Sequence, residues 1–362
     1  MGKYTAIDDP SAHFQAETYT GAGANTSVTF SGNSDLKPDF LWLKNRTAGY
    51  AHAAFDSNRN LGSAVNAPFL EPNDVSVEND NQNWWNSTNN GINTDGFQFG
   101  SVSEHNLNNL NSEYVAWAWK ANGGTTSTNN DGAVTSTVQL NSDAGFSILT
   151  YTMNSGSNET VGHGLGEKPD IIIYKARERG DVNGVWLVYT TLLDGSLDYL
   201  RLNDTNAKSD SVLASPTTTT FIGGGSSTEA YRHFVAYCFK SIQGYSKFGK
   251  YVGNGNSNGP FVYTGFKPAF VLIKNVDTTQ VWIMYDGARK PFNRDDNVAS
   301  FYANTAGAEY TGASYHNLDI LSNGFKIRLT DASQNGNGNN HIYMAFAENP
   351  FTTSTGVPTT AR

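Results

Sequence analysis

The sequence predicts an all-β protein built from tandem antiparallel β-sandwich modules of the jelly-roll, lectin-like kind. Three observations carry that prediction. First, one segment recurs as YVAWAWK (Tyr114 to Lys120), FVAYCFK (Phe234 to Lys240) and YMAFAEN (Tyr343 to Asn349). Second, a proline-headed apolar run ending in lysine recurs as Pro38 to Lys44, Pro169 to Lys175 and Pro268 to Lys274. Third, tight-turn dipeptides such as Asn90-Gly91, Asp95-Gly96, Asn183-Gly184, Asp286-Gly287 and Asn323-Gly324 punctuate the chain, and no helix-period segment competes with them.

Side chains alternate across a strand, so the first segment has two unlike faces. Ala116, Ala118, Ala236, Cys238, Ala345 and Ala347 make one face small, and Val115, Trp117, Trp119, Val235, Tyr237, Phe239, Met344 and Phe346 make the other bulky. The small face lets a second layer approach closely, and the bulky face fills a core. The proline-headed runs are apolar on both faces, as suits a strand covered on both sides, and proline fits a strand start, where no ladder donor is needed.

Other elements fall in the same order. Tyr19, Tyr151 and Tyr251 each precede a polar glycine-rich turn. Asp56/Arg59 and Asp286/Arg289 share an Asp-x-x-Arg spacing that reads as a structural ion pair fixing a loop, while Tyr189 to Asp194 stand there in copy two. Leu70 to Asn73, Leu200 to Asn203 and Phe301 to Asn304 follow, then Phe97, Phe221 and Phe325. The modules span residues 1–122, 145–243 and 244–351, with 123–144 as a linker or loosely docked strand and 352–362 as an extended tail. Only Ser241 to Gly244 separate copies two and three, so those two are expected to be rigidly coupled and copy one more independent.

Composition narrows function. Charged residues make up 16% of the 362, and Asn, Ser, Thr and Gly supply an uncharged hydrogen-bonding surface. A net charge of −9 without clustered Lys/Arg argues against nucleic acid, and no apolar run is long enough for membrane insertion. The opening MGKYTAIDDPSAH lacks the apolar stretch of a signal peptide, so synthesis in a cytoplasm is expected. Asn86 and Asn158 then head chance glycosylation sequons. The single cysteine, Cys238, occupies an alanine slot and reads as a buried filler.

No residue pattern points to catalysis. The histidines (His13, His52, His105, His163, His233, His316 and His341) make no paired metal-ligand spacing, so neither metal nor cofactor is expected. GHGLG around His163 precedes a strand rather than a helix and reads as a turn into Pro169. GNSNG places Ser257 like a hydrolase nucleophile, but Pro260 and a strand-like run follow, so a polar turn is the better reading. Loop carboxylates such as Glu78, Asp80, Asp295 and Asp296 form no pair common to the copies, and the chain is read as not an enzyme.

Binding is easier to argue. Trp84 and Trp85 sit in an otherwise polar loop, NDNQNWWNSTNNG, where flat rings beside amides and carboxylates suit stacking on a saccharide. Burial in the module's own core is the competing reading. Tyr310 to His316 is a second, lesser candidate.

In copy three the order of Tyr251, Gly265-Phe266-Lys267-Pro268, Lys274-Asn275, Trp282, Asp286, Arg289, Ser322 to Phe325 and Tyr343 to Phe351 resembles an uncharacterised repeated domain. That domain recurs in tail- and fibre-type virion proteins of tailed phages infecting marine bacteria. Copies one and two carry weaker versions, and no catalytic residues come with the resemblance. It implies a structural component of a virion, made in the host cytoplasm, whose partners are other virion proteins and a host-surface glycan. A homo-oligomer, a trimer by particle symmetry, is expected. The rivals are a capsid-decorating or tail-scaffold protein and a polysaccharide-degrading enzyme.

Overall fold

The computed structural model describes residues 5–80, 84–100, 107–154, 158–178, 184–224, 232–289, 293, 299–312 and 317–359. The chain is 42% strand and 4% helix, arranged as antiparallel sheets of the sandwich class. Its first part supplies β1 (Phe14–Thr20), β2 (Thr26–Val28), β3 (Phe40–Asn45), β4 (Ala53–Asp56), β5 (Phe97–Phe99) and β6 (Glu113–Trp119). Next come β7 (Ser127–Asn129), β8 (Ser136–Asn141), β9 (Phe146–Thr152), β10 (Thr160–Gly162), β11 (Ile171–Ala176), β12 (Leu187–Thr190), β13 (Asp198–Arg201), β14 (Ser209–Asp210), β15 (Thr220–Ile222) and β16 (His233–Phe239). Last are β17 (Ser246–Val252), β18 (Phe261–Tyr263), β19 (Phe266–Asn275), β20 (Trp282–Asp286), β21 (Phe301–Tyr302), β22 (Leu318–Leu321), β23 (Gly324–Ile327) and β24 (Asn340–Pro350).

Three large sheets share one order. Sheet I runs β1-β6-β3-β4, sheet II contains β9-β16-β11-β12 and sheet III contains β17-β24-β19-β20. In each, the strand bearing the small and bulky faces lies between the opening strand and the proline-headed one. A short sheet covers each: β2-β5, β10-β15 and β18-β23-β22. The small faces point at these covers. Ala116 and Ala118 pack with Val28, Phe97 and Phe99, Ala236 and Cys238 with Val161 and Phe221, and Ala345 and Ala347 with Val262 and Phe325.

The bulky faces all meet. Trp42, Trp117 and Trp119 of sheet I, Ile173, Tyr237 and Phe239 of sheet II, and Leu272, Met344 and Phe346 of sheet III belong to one cluster. Phe40 lies 4.3 Å from Tyr237, Trp119 5.5 Å from Phe346 and Phe239 5.9 Å from Phe346, ring centre to ring centre. A void of about 20 Å³ lies among them. Each fully buried aliphatic or phenyl side chain here contributes about 1.5–3 kcal/mol.

Three stacked ring pairs fix the correspondence between sheets. Tyr19 faces Tyr114 at 4.9 Å, Tyr151 faces Phe234 at 5.2 Å and Tyr251 faces His341 at 4.9 Å. His341, not Tyr343, therefore matches Tyr114, and YMAFAEN is displaced by two residues from its expected alignment. An even displacement leaves every side chain on its original face, which is why the faces were legible although the register was not.

The chain's joints are more tightly built than a linker would make them. The stretch 123–144, expected as a linker or a loosely docked strand, carries β7 and β8, and β8 pairs with β9 along its length. Its hydrophobic positions, Val134 and Val138, enter the core of sheet II. Nor is the first part of the chain more independent than the others, since all three sheets share the central cluster. The tail turns back at Thr352 and Pro358, and Ser354 bonds to Asp8 through its backbone N and hydroxyl.

Candidate functional site

Three junctions join the large sheets, and each is built from the same positions. Trp282 heads β20 opposite Lys274, and His52 and Trp186 immediately precede β4 and β12, one step beyond the last ladder pairs of Leu43 and Tyr174. Each directs a ring nitrogen at a carbonyl of the neighbouring sheet's region: His52 Nε2 to Tyr302 O at 3.2 Å, Trp186 Nε1 to Glu71 O at 2.8 Å and Trp282 Nε1 to Arg201 O at 2.8 Å. The lysines do likewise. Lys44 Nζ reaches Ala306 O at 3.2 Å, Lys175 Nζ reaches Val75 O at 3.3 Å and Lys274 Nζ reaches Thr205 O at 3.0 Å. The directions run I to III, II to I and III to II, so the sheets close a head-to-tail ring.

Burial sets the electrostatics. It pushes the Lys44 amine down to about 7, helped by the charge of Arg289, and Lys274 down to about 8. Burial likewise holds His52 well below the ordinary histidine range. Trp42 Nε1 donates to His52 Nδ1 at 2.9 Å, so the proton of the neutral ring sits on Nε2 and points at Tyr302 O.

The Asp-x-x-Arg pairs sit at two of the junctions, completely buried. Asp56 Oδ2 takes Arg59 Nε at 2.6 Å and the hydroxyl of Tyr237 from sheet II at 2.7 Å. Asp286 Oδ2 takes Arg289 Nε at 2.6 Å and the indole N–H of Trp117 from sheet I at 3.0 Å. Tyr237, Trp117 and Met344 hold equivalent register positions, opposite Ile173, Trp42 and Leu272. Thr190 matches Asp56 and Asp286, opposite Ile171, Phe40 and Phe270. Methionine has no proton to donate, and copy two, which has Thr190 at the acid's position, carries no acid there. Outer ion pairs follow suit: Glu78 meets Arg59 and Arg177, and Glu309 meets Arg289 and Arg46. Burial alone would raise the Glu78 carboxyl, but Arg177 and Arg59 outweigh it and hold it low.

The sequence-predicted binding residues lie elsewhere. Trp84 and Trp85 are 3% and 2% exposed, packed edge-on against Phe55, with Trp85 also stacked on Phe99 at 5.4 Å. Neither ring face is open to a sugar, so both are core plugs of sheet I's sandwich. Asp80, Ser87 and Thr88 beside them are exposed, whereas the two rings turn inward. Tyr310 stacks on Tyr302 at 4.3 Å, while residues 313–316 lie outside the described residues, as do His105, Asp295 and Asp296. Ser257 stands exposed on a turn, and His163 is buried with Nδ1 accepting Leu165 N. Among the described residues no group of three or more His, Cys, Asp or Glu is placed to hold a metal. Cys238 is buried and unpaired to sulfur.

An open site remains at the junction of sheets I and III. A groove of about 560 Å³ runs along β1 and is lined on the other side by Lys267, Gly287, Ala288 and Glu348. At the junction of sheets I and II, the equivalent space beside β9 is occupied by β8. There the Asn58 amide donates to Thr137 O and Ile148 O, and the Gln139 amide donates to Ser57 and Asn58. Ser57 and Asn58 become Gly287 and Ala288 in the matching turn of sheet III. That substitution inside a shared Asp-x-x-Arg frame was the sequence signal for the groove.

The chain belongs to the family described as a domain of unknown function, DUF7483, whose model matches residues 9–350. The match runs through all three sheets as one unit. No curated protein and no solved structure matches the chain.

Proposed function

We propose that this chain is a structural component of a tailed-phage particle, made of three tandem sandwich modules of jelly-roll, lectin-like topology. The observation that carries the reading is the closed ring of buried polar contacts around one shared interior. Such a body is a rigid building block, with its polar groups committed to holding sheets together. The pairing of each first strand with the last, and of each second with the penultimate, supports the jelly-roll topology and an ancestral triplication. The order of motifs resembling virion repeats supports the particle setting.

Of the two contacts such a protein could make, attachment to other virion proteins is the better supported, because Trp84 and Trp85 face inward and no longer recommend a glycan platform. Mass spectrometry of gradient-purified particles from the encoding phage should find peptides of this chain. Particles free of it would overturn the reading. Purified chain should attach to stripped particles, and attachment to host cells alone would favour the host-contact alternative.

A further inference from the structure

We infer that the groove beside β1 receives an extended strand of another polypeptide, one presenting a basic side chain, which pairs with the β1 edge. The inference rests on the particle-component reading for its partner but on geometry for its site. His13 O accepts from Lys120 N and Gly21 N donates to Ser112 O, both toward the β6 side. Strand alternation then turns the backbone groups of Phe14, Ala16 and Thr18 outward. Among the described residues β1 pairs with β6 alone. Glu17 Oε1 accepts the outward Thr18 N–H at 3.2 Å, a side chain standing in for a missing neighbour.

Sheet II shows what fills such an edge. There β8 lies on β9 in register from Ser136 to Asn141 and sends the Gln139 side chain to the Ser57–Asn58 turn. At β1 the turn is reduced to Gly287 and Ala288, which leaves the strand's place open, and the position of Val138, opposite Leu149, would face Glu17. The charge in the groove favours a cation. Lys267 is matched to Glu348 at 2.5 Å, while Glu17 Oε2 is buried without a hydrogen-bond partner. Main-chain ladder bonds would supply affinity and the basic side chain specificity, as in strand addition generally.

The test uses the full chain and two peptides, VTSTVQLNS, copying residues 134–142, and the same peptide with Val138→Arg, the position opposite Leu149, which matches Glu17. Fluorescence anisotropy should show saturable binding of both, with the arginine peptide at least tenfold tighter and weakening as salt rises. Ala288→Trp, which fills the groove away from the core, should abolish binding while circular dichroism stays unchanged. Glu17→Gln should erase the preference for arginine but leave the unsubstituted peptide's affinity intact. No binding of either peptide, or equal binding to Ala288→Trp, overturns the proposal. Peptide binding by a chain that is absent from purified particles would uphold the groove and sink only the particle reading.

Discussion

Tyr237 donates its hydroxyl proton to Asp56 across 2.7 Å although 181 residues of chain separate them. The same carboxylate holds Arg59, so one buried acid serves a loop within its own sheet and a strand of the next. Tyr237→Phe should lower unfolding stability by about 1–3 kcal/mol, because a buried acceptor loses a partner. Arg59→Leu should lower it by about 3–5 kcal/mol, leaving Asp56 charged and uncompensated. Urea midpoints for the two variants should fall in that order.

Stability should rise with pH on both sides of neutrality. Below pH 6.5 the unfolded chain takes a proton that buried His52 refuses, so stability falls with acid. Between about 7 and 10.5 the unfolded chain keeps a proton that folded Lys44 has released, so stability climbs toward the alkaline end. Above pH 10 the buried tyrosines, held protonated by burial, reverse the slope. Thermal melts should show the acid limb flattened in His52→Gln and the neutral-to-alkaline limb flattened in Lys44→Met.

Trp85→Ala should cost about 3–5 kcal/mol, as a large ring leaves a packed interior. Its Tm would drop steeply. An unchanged Tm would restore the ring to the surface and with it the sugar-stacking reading.

Cys238 should resist alkylation in the native protein and react only on unfolding, since burial pushes its thiol far above the ordinary range. Cys238→Ala should shift stability by less than about 1 kcal/mol, because Ala118 and Ala345 fill the matching slots opposite Leu41 and Val271. Labelling followed by mass spectrometry checks the first, and a urea titration the second.

How much of this could be read from residues alone depends on whether a feature is local. Alternation of Ala116, Ala118, Trp117 and Trp119 gave both faces of a strand and their tasks, because period-two patterning is a local consequence of burial. The lysines closing the apolar runs were visible as a recurrent letter. Their reach to carbonyls of another sheet was not, since it depends on how the sheets close around one another. Asp56 and Arg59 were recognised as a pair, while the donor completing it lay in a segment aligned only for its own faces. Trp84 and Trp85 misled because a polar neighbourhood in sequence says nothing about which way two rings turn. The stretch 123–144 left a linker and a docked strand equally open, because Gly, Ser and Thr carry little face pattern and the pairing of β7 and β8 is supplied mainly by backbone.

The three junctions are alike in plan but no longer in chemistry. Trp117 donates to Asp286 and Tyr237 to Asp56, while Met344, at the matching position, has no proton to donate. Coding segments for the three thirds therefore could not be shuffled without stranding a donor or an acid, and the linear order of the gene has become fixed by the matching of its own inner surfaces.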